Sequence, residues 1–200
     1  MNWTRATICC LALLLPAVAH AEDDPRVVVQ TFSERLKTVM EQARQLGFHG
    51  REEQLRPAIE DAYDVPRMAR SALGPASSKL APEEMNQLAT AFDHYTVATY
   101  AAQFDDYDGE KFEVGQPRPS TEGAVVVPTH IIARNGHETA IDYLLRQDAG
   151  GNWRIVDVLL DGAVSQVAVR RSEFMSIYRR QGLTGLVSLL DGKAEAMGHP

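Results

Sequence analysis

Residues 153–180 read WRIVDVLLDGAVSQVAVRRSEFMSIYRR, and this stretch decides the fold. The segment WRIVDVLL is a strand with apolar side chains on both faces. Alternation sends Ile155 and Leu159 one way and Val156, Val158 and Leu160 the other. A strand apolar on both sides is expected to be buried on both sides, at the centre of a sheet. Asp161-Gly162 turns the chain. The helix that follows carries apolar residues at three- and four-residue spacings, with Val164, Val167, Phe174 and Tyr178 on one face and Arg171 interrupting it. The strand therefore runs directly into a helix that folds back over the sheet.

Outward from this unit, the periodicity divides the chain in two. Before residue 108 it is helical. Asp24-Pro25 supplies an N-cap and a first-turn proline, and Val28, Phe32, Leu36, Val39 or Met40, Ala43 and Leu46 form the stripe of a helix ending at Gly47. Shorter helices are expected over 51–62 and from Val65 to Gly74-Pro75. The longest covers 82–104, with Pro82, Glu83 and Glu84 in its first turn, where acids complement the helix dipole. After Tyr107-Asp108-Gly109 the period becomes two. Strands are expected over 111–114, 124–134 and 139–146, and Asn135-Gly136 is a strong hairpin signal. With residues 153–160 they form a twisted four-stranded antiparallel meander. The fold class is α+β, with the sheet wrapped by several helices.

Residues 1–21 have the pattern of a secretory signal peptide: Arg5, a short apolar run over 6–18, and Ala19-His20-Ala21 as a small-residue cleavage site. A retained anchor is the alternative. The run is too short for an ordinary membrane span. Residues 22–200 then suit one domain. Cys9 and Cys10 leave with the leader, so thiol catalysis and zinc–thiolate sites are excluded from the mature chain. The formal net charge of −7 becomes about −8, because Arg5 is the leader's only charged side chain. Such an acidic chain has no basic footprint for nucleic acid.

No residue pattern marks catalysis. Asp142, Tyr143, Asp157 and His130 could supply acid–base groups to a small apolar cavity, but spacing fixes no pairing, and HExxH, phosphate-loop and serine-elbow patterns are missing. Asp105, Asp106, Asp108 and Glu110 miss the calcium-loop register. No metal or cofactor is expected. Asp157, midway along an apolar strand, needs a partner if buried. Arg171 is the first candidate and Arg154 the second. Periodicity is equally compatible with a filled core and with an apolar gap between sheet and helices.

Several segments in order are similar to one family. In the MlaC-type periplasmic lipid-binding proteins (the toluene-tolerance auxiliary family), a W-[KR]-[IV]-x-D-V strand precedes x-x-[ED]-G-[VI]-S, an R-S-x-F helix and G-x-x-x-L-[IV]-x-x-L. The counterparts here are Trp153–Val158, Asp161–Ser165 (DGAVS), Arg171–Phe174 and Gly182–Leu190. Residues 64–74 (DVPRMARSALG) and 92–114 (FDHYTVATYAAQFDDYDGEKFEV) resemble the family's earlier helices. The family's frequent tryptophan after Leu-Gly is replaced by Pro75-Ala76-Ser77-Ser78, and residues 160–174 look closer to the hopanoid-associated branch, HpnM. The resemblance implies a periplasmic carrier with a deep apolar pocket. Its ligand would be a hopanoid or phospholipid, its contact with membranes transient, and its partner an inner-membrane transporter complex or an outer-membrane lipoprotein. The pocket residues then expected are Val127, Ile131, Tyr143, Leu145, Val156, Val158 and Leu160 from strands and Phe92, Tyr95, Val167, Phe174 and Tyr178 from helices. Arg171 is placed at the mouth, against a lipid head group. An interaction module with a filled core, or less readily a small-cavity enzyme, is the alternative.

Overall fold

The computed structural model describes residues 24–199; the expected signal peptide lies outside them. Asp24 caps the first helix, accepting from the Arg26 amide at 2.9 Å, and Pro25 opens it. This helix, α1 (Pro25–Glu41), is followed by α2 (Ala43–Ala62), α3 (Val65–Leu73) and α4 (Pro82–Gln103). Val29, Phe32, Leu36, Val39 and Met40 form the buried stripe of α1, so Val29 rather than Val28 begins it. Arg51, which periodicity leaves unexplained, is 8% exposed. Its guanidinium donates to the Ala101 carbonyl at 2.8 Å and the Ala43 carbonyl at 3.0 Å. It thereby ties α2 to the last turn of α4, where carbonyls lack helical partners.

The sheet keeps the expected meander but has more pieces. Its strands are β1 (Lys111–Val114), β2 (Arg118–Pro119), β3 (Val125–Val127), β4 (Thr129–Ile132), β5 (Glu138–Gln147), β6 (Trp153–Leu160) and β7 (Val164–Ser165). Every pairing is antiparallel. The expected strand over 124–134 divides at Pro128, which has no N–H for the ladder. β3 continues to β2, β4 continues to β1, and both halves rest on β5. The strand of the deciding stretch, β6, is not the middle of the sheet. β5 is; β6 has β5 on one side and only β7 and an isolated bridge between Ile155 and Tyr63 on the other.

A bulge in β6 changes which residues share a face. Leu144 pairs with Asp157, but Leu145 pairs with Ile155, leaving Val156 as the extra residue. One inserted residue reverses the alternation beyond it. Ile155, Val158 and Leu160 therefore lie together, opposite Leu145, Tyr143 and Ile141 of β5. Simple alternation had separated Ile155 from the other two. Leu160 is 37% exposed, so the strand leaves the core at its end rather than staying buried on both sides.

After β7 comes α5 (Gln166–Gly198), broken at Gly182, whose φ of 67° is one that glycine adopts without strain. Lys193 Nζ lies 2.6 Å from a Glu173 carboxylate oxygen. Twenty residues would span about 30 Å in a straight helix. The two halves of α5 thus fold back on each other, and the second buries Leu186, Leu190 and Ala194.

Neither expected arginine pairs with Asp157. Arg171 Nε donates to the Ser71 carbonyl at 3.1 Å, and Arg154 reaches Asp148 and the Asp61 carbonyl. Asp157 instead accepts from the Val167 amide at 3.1 Å and from the Ser165 hydroxyl. The Ser165 oxygen in turn accepts from the Ala168 amide at 2.9 Å. These amides open α5, so the half-buried carboxylate is satisfied by a helix end rather than by a cation. Asp157→Ala is expected to cost about 1–3 kcal/mol, and Arg171→Ala no more than about 0.5 kcal/mol. Urea midpoints of the two variants check this, and the reverse order would restore the ion pair.

Candidate functional site

Between the inner face of the sheet and α3, α4 and the start of α5 lies an apolar cavity of about 110 Å³. Ile141 and Tyr143 of β5 and Val158 and Leu160 of β6 form the sheet wall; the bulge and pairing described above bring these four onto one face. Helix α4 faces them with Phe92, Tyr95, Thr96, Thr99, Tyr100 and Gln103, spaced to lie along one side. Phe104, Tyr63 and Met68 add further apolar surface, and Val167, Gln166 and Arg170 come from α5.

Most polar groups in this lining are spent on neighbours. The Thr96 and Thr99 hydroxyls each donate at 2.7 Å to the carbonyl four residues back, turning their methyl groups outward from the helix. Arg170 lies over the Tyr95 ring, 4.7 Å from its centroid, and donates to the Tyr95 hydroxyl. Among the described residues no carboxylate pairs with Arg170, and Gln166 and the exposed Leu160 line the cavity with it.

The other polar feature is a group of tyrosines. Tyr63 closes α2, Tyr100 is on α4 and Tyr143 on β5, and all three border the cavity. The Tyr63 and Tyr100 hydroxyls share a hydrogen bond, and Tyr143 interacts with both. Phe32 packs edge-on beneath them, its ring centre 5.2, 5.3 and 6.2 Å from those of Tyr63, Tyr100 and Tyr143. Burial pushes the Tyr100 hydroxyl up to about 12 and drives Tyr63 and Tyr143 well above their ordinary value. An unfolded tyrosine titrates near 10. The unfolded chain therefore loses these protons first, and stability contributed below pH 10 is lost as pH rises through about 12. Melting temperature is expected to fall over that interval, with tyrosinate absorbance from these three residues appearing only as the protein unfolds.

Of the residues expected from sequence, Phe92, Tyr95, Tyr143, Val158, Leu160 and Val167 line the cavity. Val127 and Leu145 are fully buried in the sheet core, and Ile131, on β4 past the break at Pro128, pairs with Thr139 of β5. Val156 is the bulge residue, buried outside the lining. Phe174 stands behind Phe92 at 6.0 Å, and Tyr178 is half-buried one turn further on. Arg171 is turned away, against α3 and Gly74. Successive helical residues differ by about 100° in direction, which is why Arg170 reaches the cavity and Arg171 does not. Tyr63, Met68, Tyr100 and Phe104 also line the cavity and were not among the pocket residues expected from sequence. The alternation of β5 could have found Ile141, the partner of Leu160.

The candidate acid–base residues are scattered. Asp142 is buried and paired with Arg118 at 2.6 Å, Asp157 caps α5, and His130 sits beside Glu138 at 3.6 Å. Only Tyr143 reaches the cavity. In the acidic cluster, Asp106 pairs with Arg44 and Asp108 with Arg134.

A family model described as MlaC protein matches residues 30–191. The chain belongs to the MlaC family. No curated protein matches it. Among solved structures, the phospholipid-binding protein from Ralstonia solanacearum, in complex with a phospholipid, has a TM-score of 0.74 at 21% identity. The match covers 87% of this chain and 98% of that one. This MlaC-family chain therefore shares that fold, helices packed over a curled antiparallel sheet, and its cavity lies between the two layers.

Proposed function

We propose that this chain is a periplasmic lipid carrier, not an enzyme, that encloses the apolar body of one lipid and passes it between inner- and outer-membrane machinery. The observation that carries this reading is the apolar cavity between sheet and helices in a chain of the MlaC family. Lipid surface exposed to water costs about 25 cal/mol per Å², so a carrier outside the membrane must cover it. Phe92, Tyr95, Tyr143, Val158, Leu160 and Val167 contact the cargo, and Arg170 takes the rim position for a charged head group. Ligand pockets usually measure about 300–1,000 Å³. At about 110 Å³ the cavity widens on loading, with the sheet wall and the α4–α5 wall parting.

The cargo is a phospholipid or a hopanoid. The Ralstonia protein speaks for the first and the likeness of residues 160–174 for the second. A transporter complex at the inner membrane or a lipoprotein at the outer one supplies or receives it. The leader pattern in residues 1–21 supports the periplasmic address. Native mass spectrometry of the mature protein from a lipid-rich host tests the reading. A one-to-one adduct that extracts as phospholipid or triterpenoid is the expected result. A bare mass, unchanged after incubation with both lipids, would leave an interaction module with a filled core.

A further inference from the structure

The tyrosine group in the cavity wall has at least one more hydrogen-bond donor than the protein can use. The Tyr63 and Tyr100 hydroxyls share one hydrogen bond, and the Tyr143 hydroxyl lies near both without a hydrogen bond to Tyr63. No acceptor outside the group meets the three among the described residues. Each phenol brings a single O–H. The three hydroxyls close no ring, so at least one O–H is left over whichever way they are oriented. The neighbouring Thr96 and Thr99 hydroxyls donate to their own helix, and neither accepts a hydrogen bond from a tyrosine of the group.

We propose that this surplus O–H is a subsite for an acceptor oxygen that the bound lipid carries inside the cavity, an ester carbonyl or a hydroxyl. The proposal rests on the lipid-carrier reading and adds a rule of selection to it. A hydrocarbon wall accepts any apolar body of suitable size. A wall with an unmet donor penalises a body that brings no acceptor, because an unmade buried hydrogen bond is costly. Burial keeps all three hydroxyls protonated across the physiological range, so they remain donors.

The test uses delipidated mature protein and two matched pairs of ligands. One pair is a diester phospholipid and its diether analogue with the same chains and head group. The other is a hydroxylated pentacyclic triterpenoid and its parent hydrocarbon. The oxygenated member of at least one pair is expected to bind roughly five- to tenfold tighter, and the pair showing the preference identifies the source of the oxygen. The triple variant Tyr63→Phe, Tyr100→Phe, Tyr143→Phe should bind both members alike. Tyr100→Phe alone takes the partner from the Tyr63 hydroxyl and leaves two donors unmet, so the preference should persist; its disappearance in that folded variant would overturn the subsite. Equal binding within both pairs by the wild type, the outcome if a resident water takes the surplus proton, overturns the subsite and leaves the carrier reading standing. A preference that survives in a folded triple variant also overturns it. Failure of all four ligands to bind removes the carrier reading and the subsite together.

Discussion

Val158→Trp is expected to yield a folded protein that purifies without lipid. Val158 is half-buried on β6 and faces the cavity beside Tyr143. The indole adds several heavy atoms to a space of only about 110 Å³, filling it from the sheet wall. Space already exists there, so overpacking stays at the low end of its usual cost, about 1 kcal/mol. The lipid adduct in native mass spectra should vanish while the melting temperature shifts by only a few degrees, about 2–4 °C per kcal/mol at this size. Val156→Glu makes the contrast. Val156 is buried at the bulge, outside the lining. A carboxylate there has no partner to expect, so the variant should lose stability before it loses binding. A lipid-loaded Val158→Trp protein would mean that cargo sits elsewhere.

Phe32→Ala should give the largest loss of stability. Its ring is 1% exposed and packs edge-on against Tyr63, Tyr100 and Tyr143, linking α1 to α2, α4 and β5 at once. Removing a buried phenylalanine costs about 3–5 kcal/mol. The melting temperature should drop by roughly 6–20 °C. The cavity left behind adjoins the tyrosines that border the binding space, so the remaining folded protein should also accept bulkier ligands than the wild type does. Thermal denaturation and competition between lipids of different girth measure the two effects. A drop of under 2 °C would mean that the four rings do not form the joint described above.

How each part became legible follows from the range of the interactions involved. Asp24-Pro25 and Pro82-Glu83-Glu84 announced helix starts because capping acts within one turn. The change of period after Gly109 and the Asn135-Gly136 turn were likewise readable, since each depends on a few adjacent residues. The meander and the α+β class followed from their order. The resemblance of residues 153–190 to the MlaC family was carried by the same local signals, and the family match bears that membership out.

Tertiary structure decided the rest. The strand divided at Pro128 became β3 and β4, and only the assembled sheet shows that both halves pair with separate segments of β5. The bulge at Val156 appears only when β6 is laid against β5, and it put Ile155 on the face where local alternation had placed Val156. Asp157 found a helix terminus instead of an arginine, because the turn through Asp161-Gly162 brings the start of α5 back over the strand. Tyr143 was expected at the pocket, but nothing local linked it to Tyr63 and Tyr100, which are far from it in the chain. Sequence by itself determined which residues are apolar, where elements begin and end, and which family they compose. Only packing could decide which side chains from separate elements meet at one cavity, because that depends on register and helix rotation summed over the whole fold.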